Sequence, residues 1–235
     1  MTKKKVIVIV VILIIAALGV SAAVYYFSSL DYQVKKRIGN KVELLAKYEK
    51  IKAAENKDKA EGKVDLGRLF LIGMEWKGLG DLTKDKFFYT KALETYQSGM
   101  ETFGEKNVLL YWNAGRVAES LEDYNLAESY YKKSIEITAG YDDPYRNLAE
   151  MYQYKMKKSP AEILAIYDAG LKAGMGSADL FLDKCSYLRS IKYNQEAVEC
   201  YQLLSDNYPD NQGYKDVIEE LSAEISSAAS ADKTK

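Results

Sequence analysis

Two stretches of this chain say nearly the same thing. Residues 123–135 read DYNLAESYYKKSI, and residues 192–204 read KYNQEAVECYQLL. In each, a Tyr-Asn pair precedes an Ala, and a Tyr follows that Ala by four residues (Ala127 to Tyr131, Ala197 to Tyr201). Four residues is about one helical turn, so Ala and Tyr share a helix face. Each Ala also has a small residue twelve positions earlier, Gly115 and Cys185, and an aromatic sixteen positions earlier, Tyr111 and Phe181. A third alignment centres on Ala161, with Ala149 twelve and Tyr145 sixteen positions before it. From Ala127 to Ala161 is 34 residues, and from Ala161 to Ala197 is 36. This pattern predicts helical hairpins in which Ala127 faces Gly115 across a close crossing. A hairpin of that size cannot bury its apolar face alone, so hairpins must stack on one another.

A degenerate copy precedes these three. GRLFLIGMEW supplies Leu69, Ile72, Gly73 and Trp76, and FFYTKALETYQSGMETFG supplies Ala92, Tyr96 and Gly99. KGLGDLT, residues 77–83, reads as the loop between them. Its Gly-Leu-Gly lacks the spacing of a phosphate loop and follows no strand, so no nucleotide site is expected there. Ser159-Pro160-Ala161-Glu162 is a capping box with Pro at the first helical position. Past Asp210, YKDVIEELSAEI is one more amphipathic helix, suited to covering the open end of a stack.

The N-terminus is of another kind. Residues 6–27 carry no charge over 22 positions and end in Tyr25-Tyr26-Phe27. About 20 apolar residues span a bilayer as a helix, and aromatic rings favour its interface. The run exceeds the usual core of a cleaved signal, so an uncleaved single-pass anchor is expected. Lys3, Lys4 and Lys5 favour a cytoplasmic N-terminus, whereas Lys35, Lys36, Arg37 and Lys41 just past the span favour keeping that side inside. A short tail with three Lys is hard to translocate, so the repeat body is expected outside the cytoplasm. From Lys35 to Lys63 ten Lys and Arg stand against five Asp and Glu, whereas from Val64 onward 20 stand against 28. A basic segment thus precedes an acidic body. Nucleic acid is not expected as a partner, because phosphate binding needs clustered cations.

The repeat resembles the tetratricopeptide repeat, a helix-turn-helix unit of about 34 residues. Tyr111, Gly115, Tyr124, Ala127 and Tyr131 carry the resemblance in one unit. Tyr145, Leu148, Ala149, Tyr152 and Ala161 carry it in the next, and Phe181, Leu188, Ala197, Tyr201 and Pro209 in the last. The middle unit departs, with Tyr167 and Gly170 shifted by about two residues, which reads as a local insertion. The expected fold class is all-α: a transmembrane helix, then an α-solenoid of about four hairpins and a capping helix. The boundaries are an anchor at 1–27, a charged helix or linker at 28–63 (with 53–63 a solvated spacer), and repeats at 64–104, 107–140, 143–175 and 177–210 within a domain 64–213. A cap at 214–226 and a disordered tail at 227–235 complete the chain.

The resemblance implies a groove lined by the first helix of each hairpin, where the family binds peptides. Its positions fall on Phe70, Met74 and Lys77, on Trp112, Arg116 and Glu119, on Arg146, Glu150, Gln153 and Tyr154, and on Asp179, Leu182 and Arg189. Three Arg at equivalent places suggest a cation ladder for an acidic or carboxylate-bearing peptide. Asn113 and Asn147 stand where some members clamp a carboxylate, but Asp143 occupies the place of the required Lys.

The chain has no His, and it shows no nucleophile motif or metal-ligand spacing. No enzyme activity, cofactor or metal site is therefore expected. Cys185 faces the second helix of its hairpin, whereas Cys200 lies off the stripe formed by Ala197, Tyr201 and Leu204, so two free, mostly buried thiols are expected. The expected role is a membrane-tethered scaffold or adaptor for other proteins, in envelope assembly or quality control. The alternative is a structural subunit that assembles through its anchor helix, whose Gly19, Ser21 and neighbouring Ala form a small-residue patch.

Overall fold

The computed structural model describes residues 29–174 and 177–232, and the expected span at 6–27 lies outside them. No described helix is long and apolar enough to cross a membrane. Among the described residues the only regular elements are helices, and they divide into two compact units at Asp85/Lys86.

The first unit holds α1 (Leu30–Ile38), α2 (Val42–Glu61) and α3 (Leu66–Thr83). Ser29 caps α1 by accepting from the Tyr32 amide, and Gly39, at φ 59°, ends it. Leu44, Tyr48, Ile51 and Ala54 recur at helical spacing on α2 and are buried. They meet a matching stripe on α3 of Leu69, Ile72, Trp76 and Leu79, with the Tyr48 and Trp76 rings 5.8 Å apart. The Glu75 carboxylate is buried beside this seam and accepts from Lys47 Nζ at 3.0 Å and Lys50 Nζ at 2.9 Å. Burial alone would raise that carboxyl, but the Lys50 and Lys47 ammonium groups outweigh it and hold Glu75 below the ordinary Glu range.

Two expectations change here. Residues 53–63 are no spacer: α2 runs to Glu61, Ala54 is buried, and Arg68 of α3 pairs with Asp58 and Glu61. KGLGDLT is helix rather than loop. Gly in a helix interior costs about 1 kcal/mol. The burial of Trp76 and Leu79 offsets that cost. A methyl at Gly78 would sit 3.2 Å from Lys47 Nζ, so the missing side chain leaves room for the lysine that reaches Glu75. The expected first hairpin, 64–104, straddles the two units, because its second helix begins the other one.

The second unit holds α4 (Lys86–Phe103), α5 (Val108–Ser120), α6 (Tyr124–Ile137), α7 (Asp142–Met151) with a π-helical extension Tyr152–Met156, α8 (Pro160–Ala173), α9 (Ala178–Ser190), α10 (Asn194–Asn207) and α11 (Gln212–Asp232). Consecutive helices pack on one another, so α5/α6, α7/α8 and α9/α10 are the three hairpins. The cap expected at 214–226 is longer: α11 continues to Asp232, so residues 227–232 are helix rather than disordered tail. The first and last turn the chain in the same way. Glu122 and Lys192 adopt φ 66° and 63°. The next amide in each reaches back to the helix it leaves (Asp123 N to Ala118 O, Tyr193 N to Leu188 O, both 3.0 Å). Glu122-Asp123 and Lys192-Tyr193 are thus equivalent positions of a repeated helix stop, one residue out of register with the pairing of DYN and KYN in the sequence.

The middle hairpin turns differently. The helix widens over Tyr152–Met156, Lys158 N reaches Tyr152 O, and Lys157 takes φ 53°. A π-helical stretch accommodates extra residues without ending the helix. The insertion therefore shifts the register of α8. Ala161 is exposed, and Ile163, four residues before Tyr167, takes the buried place of Ala127 and Ala197. The period is 36 and then 34 residues, the reverse of the sequence alignment. Ser159 and Glu162 do form the capping box.

The close crossing also involves a different pair. A methyl on Gly115 would lie 2.5 Å from the Tyr131 ring, so the tyrosine lies on the glycine, and Ala127 packs one turn earlier. Cys185 and Cys200 are not free thiols. They form a disulfide joining α9 to α10, with Cα atoms 5.4 Å apart. The facing stripe on α10 is broader than expected: Ala197, Cys200, Tyr201 and Leu204 are all buried at i, i+3, i+4 and i+7. Cys200 belongs to that stripe and therefore points at α9.

Two outcomes follow for denaturation. Gly115→Ala should destabilise the protein by about 1–3 kcal/mol in urea titrations, because the buried Tyr131 ring cannot yield. A gain of about 1 kcal/mol would instead mean that helix propensity decides. Reduction of the disulfide should lower stability by about 3 kcal/mol. Alkylation of denatured, unreduced protein should label no cysteine; labelling of two would remove the cross-link.

Candidate functional site

The first helices of the three hairpins expose one face each to a shared cavity of about 550 Å³. Trp112 and Arg116 come from α5, Asp143, Arg146, Asn147 and Glu150 from α7, and Asp183, Ser186, Tyr187 and Ser190 from α9. Each set recurs at three- and four-residue intervals, the spacing of one helix face. The π-helical turn adds Gln153 and Tyr154, and Tyr167 of α8 completes the wall.

Trp112 is held from three sides. Its Nε1 donates to Asn147 Oδ1 at 2.7 Å, the Tyr141 ring meets it edge-on at 5.6 Å, and the Arg116 guanidinium lies 4.8 Å above its face. Tyr167 and Tyr187 are buried with their ring centres 6.0 Å apart. Tyr154 is the opposite case, 56% exposed on the π-helical turn.

The cations are already engaged. Arg146 pairs with Asp183 in the following hairpin, and Asp179 and Asp143 add to the negative field that raises its affinity for the proton. Arg189 does not line the cavity: both Glu220 carboxylate oxygens of α11 accept from it at 2.8 Å. Arg116 sits on Trp112. Glu150 has no cationic partner among the described residues, and its charge reaches Glu119. Burial first, and then the Glu150 charge, raise the Glu119 carboxyl above the ordinary Glu range, against the pull of Tyr131, Lys155 and Arg116. Burial and Glu119 likewise push the Tyr131 phenol well above its usual value.

Of the residues expected in a groove, Trp112, Arg116, Arg146, Glu150, Gln153 and Tyr154 come together in this cavity, whereas Glu119, Asp179, Leu182 and Arg189 do not line it. Phe70, Met74 and Lys77 belong to the first unit, on α3, where Phe70 is half-buried and Met74 exposed. Tyr167, Asp183, Ser186, Tyr187 and Ser190 were not anticipated. Asp183 could have been found, since it lies 37 residues after Arg146, about one repeat period onward on an equivalent helix. Among the described residues no cluster of His, Cys, Asp or Glu could hold a metal ion.

This geometry accords with the comparisons to known proteins. Residues 108–141, the α5/α6 hairpin and its exit, match the family model described as tetratricopeptide repeat. Over 92 residues the chain is 32% identical to "Tetratricopeptide repeat protein 8" of Caenorhabditis elegans, a match covering 39% of this chain and 18% of that protein. A solved structure, "Crystal structure of MamA", superposes with a TM-score of 0.51 at 15% identity, covering 75% of this chain and 89% of that one. The last is a likeness of fold. Residues 108–141 carry the tetratricopeptide repeat, and the regular elements among the described residues are all helical.

The Glu119 shift has a definite sign. A carboxyl raised on folding favours the fold while protonated, below its unfolded value, and that contribution is lost as pH rises through the higher folded value. Glu119→Gln should therefore melt above the parent near pH 7, and the gap should close near pH 4. Equal melting temperatures at both pH values would show that the carboxylate is well solvated.

Proposed function

We propose that the chain is a protein-interaction scaffold that holds peptide segments of partner proteins in the α5/α7/α9 cavity. The observation that carries this reading is the groove itself. Three equivalent helix faces converge on it, with Trp112 oriented by three neighbours and Tyr154 left exposed. Pre-oriented aromatics and Arg are the residue types that most often dominate interface energies.

The scaffold is tethered to a membrane through residues 6–27, with the repeat body on the extracytoplasmic side. The Cys185–Cys200 disulfide supports that side, because disulfides persist in oxidising compartments and are rare in the cytosol. Lys3, Lys4 and Lys5 support the same orientation.

A photo-crosslinker in place of Gln153 in the full-length chain tests the groove. It should trap a discrete partner protein, and adding Tyr154→Ala should weaken capture about fivefold or more, the loss of at least about 1 kcal/mol expected of an interface anchor. The helical circular dichroism should be unchanged, since Tyr154 is exposed. Capture that is insensitive to Tyr154, or no crosslink from this position, would move the partner surface elsewhere.

A further inference from the structure

Three Arg at equivalent repeat positions predict an acidic occupant. Side-chain pairing in the groove reverses that charge logic. Arg146 faces Asp183, with Asp179 and Asp143 close by, so a carboxylate entering there would meet three aspartates around one cation. Arg189 is turned away to Glu220. Arg116 is laid on the Trp112 ring. The lining therefore presents two engaged cations against Asp143, Glu150 and Asp183. Asp143 is approached by the Tyr141 phenol. Glu150 is exposed and lacks a cationic partner among the described residues. One turn further along, Tyr154 lines the same cavity and offers an open ring face.

A carboxylate beside an open aromatic ring suits a cation. The positive group gains the quadrupole of the ring face and the charge of the acid together. The protein already makes two such contacts close by: Arg116 over Trp112 at 4.8 Å, and Lys158 over Tyr152 at 5.5 Å. We propose that the groove takes a basic peptide segment, seating a Lys or Arg side chain over Tyr154 beside Glu150. The proposal rests on the groove being the partner site. Gln153, next to Tyr154 in the chain, lines the same cavity and offers an amide to the backbone of an extended segment. Complementary charge sets preference and rate of encounter, so salt should weaken the interaction.

The test uses the full-length chain and two fluorescent peptides of equal length, identical except that one carries Lys where the other carries Glu. In anisotropy titrations the Lys peptide should bind about tenfold tighter or better. Glu150→Lys should remove that preference. Asp183→Asn, which frees Arg146, should shift it towards the Glu peptide. Equal affinities, tighter binding of the Glu peptide, no binding of either, or a preference untouched by Glu150→Lys would each overturn the proposal. If the Gln153 crosslink still traps a Tyr154-dependent partner in such a case, the scaffold reading stands and only the basic occupant falls. If that crosslink also fails, the groove itself is not the partner site.

Discussion

Everything in the second unit depends on how closely the two helices of a hairpin approach. In α5/α6 the approach is set by a tyrosine ring lying on a residue with no side chain, Tyr131 on Gly115. The ring fills the crossing where a methyl group would not fit. Gly170 does the same for the next hairpin, where Leu180 and Tyr145 close over it. In α9/α10 the position equivalent to Gly115 is Cys185, and there a covalent bond to Cys200 holds the pair. Interiors packed at crystal-like density leave little freedom in these distances. The first helices are consequently held in a common orientation, and their outer faces meet in a single cavity.

The repeat period and most of the buried stripe were legible in the sequence, because both are consequences of helical spacing. Tyr131, Tyr145, Leu148, Ala149 and Ala197 all lie in the core where the pattern puts them. What escaped was local backbone geometry. No spacing rule distinguishes a loop insertion from a widened helical turn, so the alignment puts Ala161 at the position that Ile163 fills in the fold. KGLGDLT misleads in the same way, since its glycines suggest a loop until the burial of Leu79 and the approach of Lys47 are known.

The groove was half legible. Trp112, Gln153 and Tyr154 line the cavity at positions the repeat register points to, whereas Tyr167 and Tyr187 line it from positions that register does not mark. The fate of the Arg side chains was not, because a sequence gives the sign of a charge but not its partner. Arg146 and Asp183 are 37 residues apart and meet only because adjacent hairpins stack in register. The charge of a solenoid groove is therefore set by pairing between repeats, and counting one sign on one face misreads it. Cys200 makes the same point for redox chemistry: whether it reaches Cys185 depends on the width of the α10 stripe, which its buried neighbours define.

Hydrogen exchange of the full-length chain, with and without a partner trapped at position 153, addresses the central claim most directly. Occupancy of the α5/α7/α9 face should slow exchange across 108–120, 142–156 and 178–190, and leave the second helices at 124–137 and 194–207 unchanged. Protection that falls instead on those second helices, or that spares the π-helical turn at Tyr152–Met156, would place the partner on the opposite face and contradict the account.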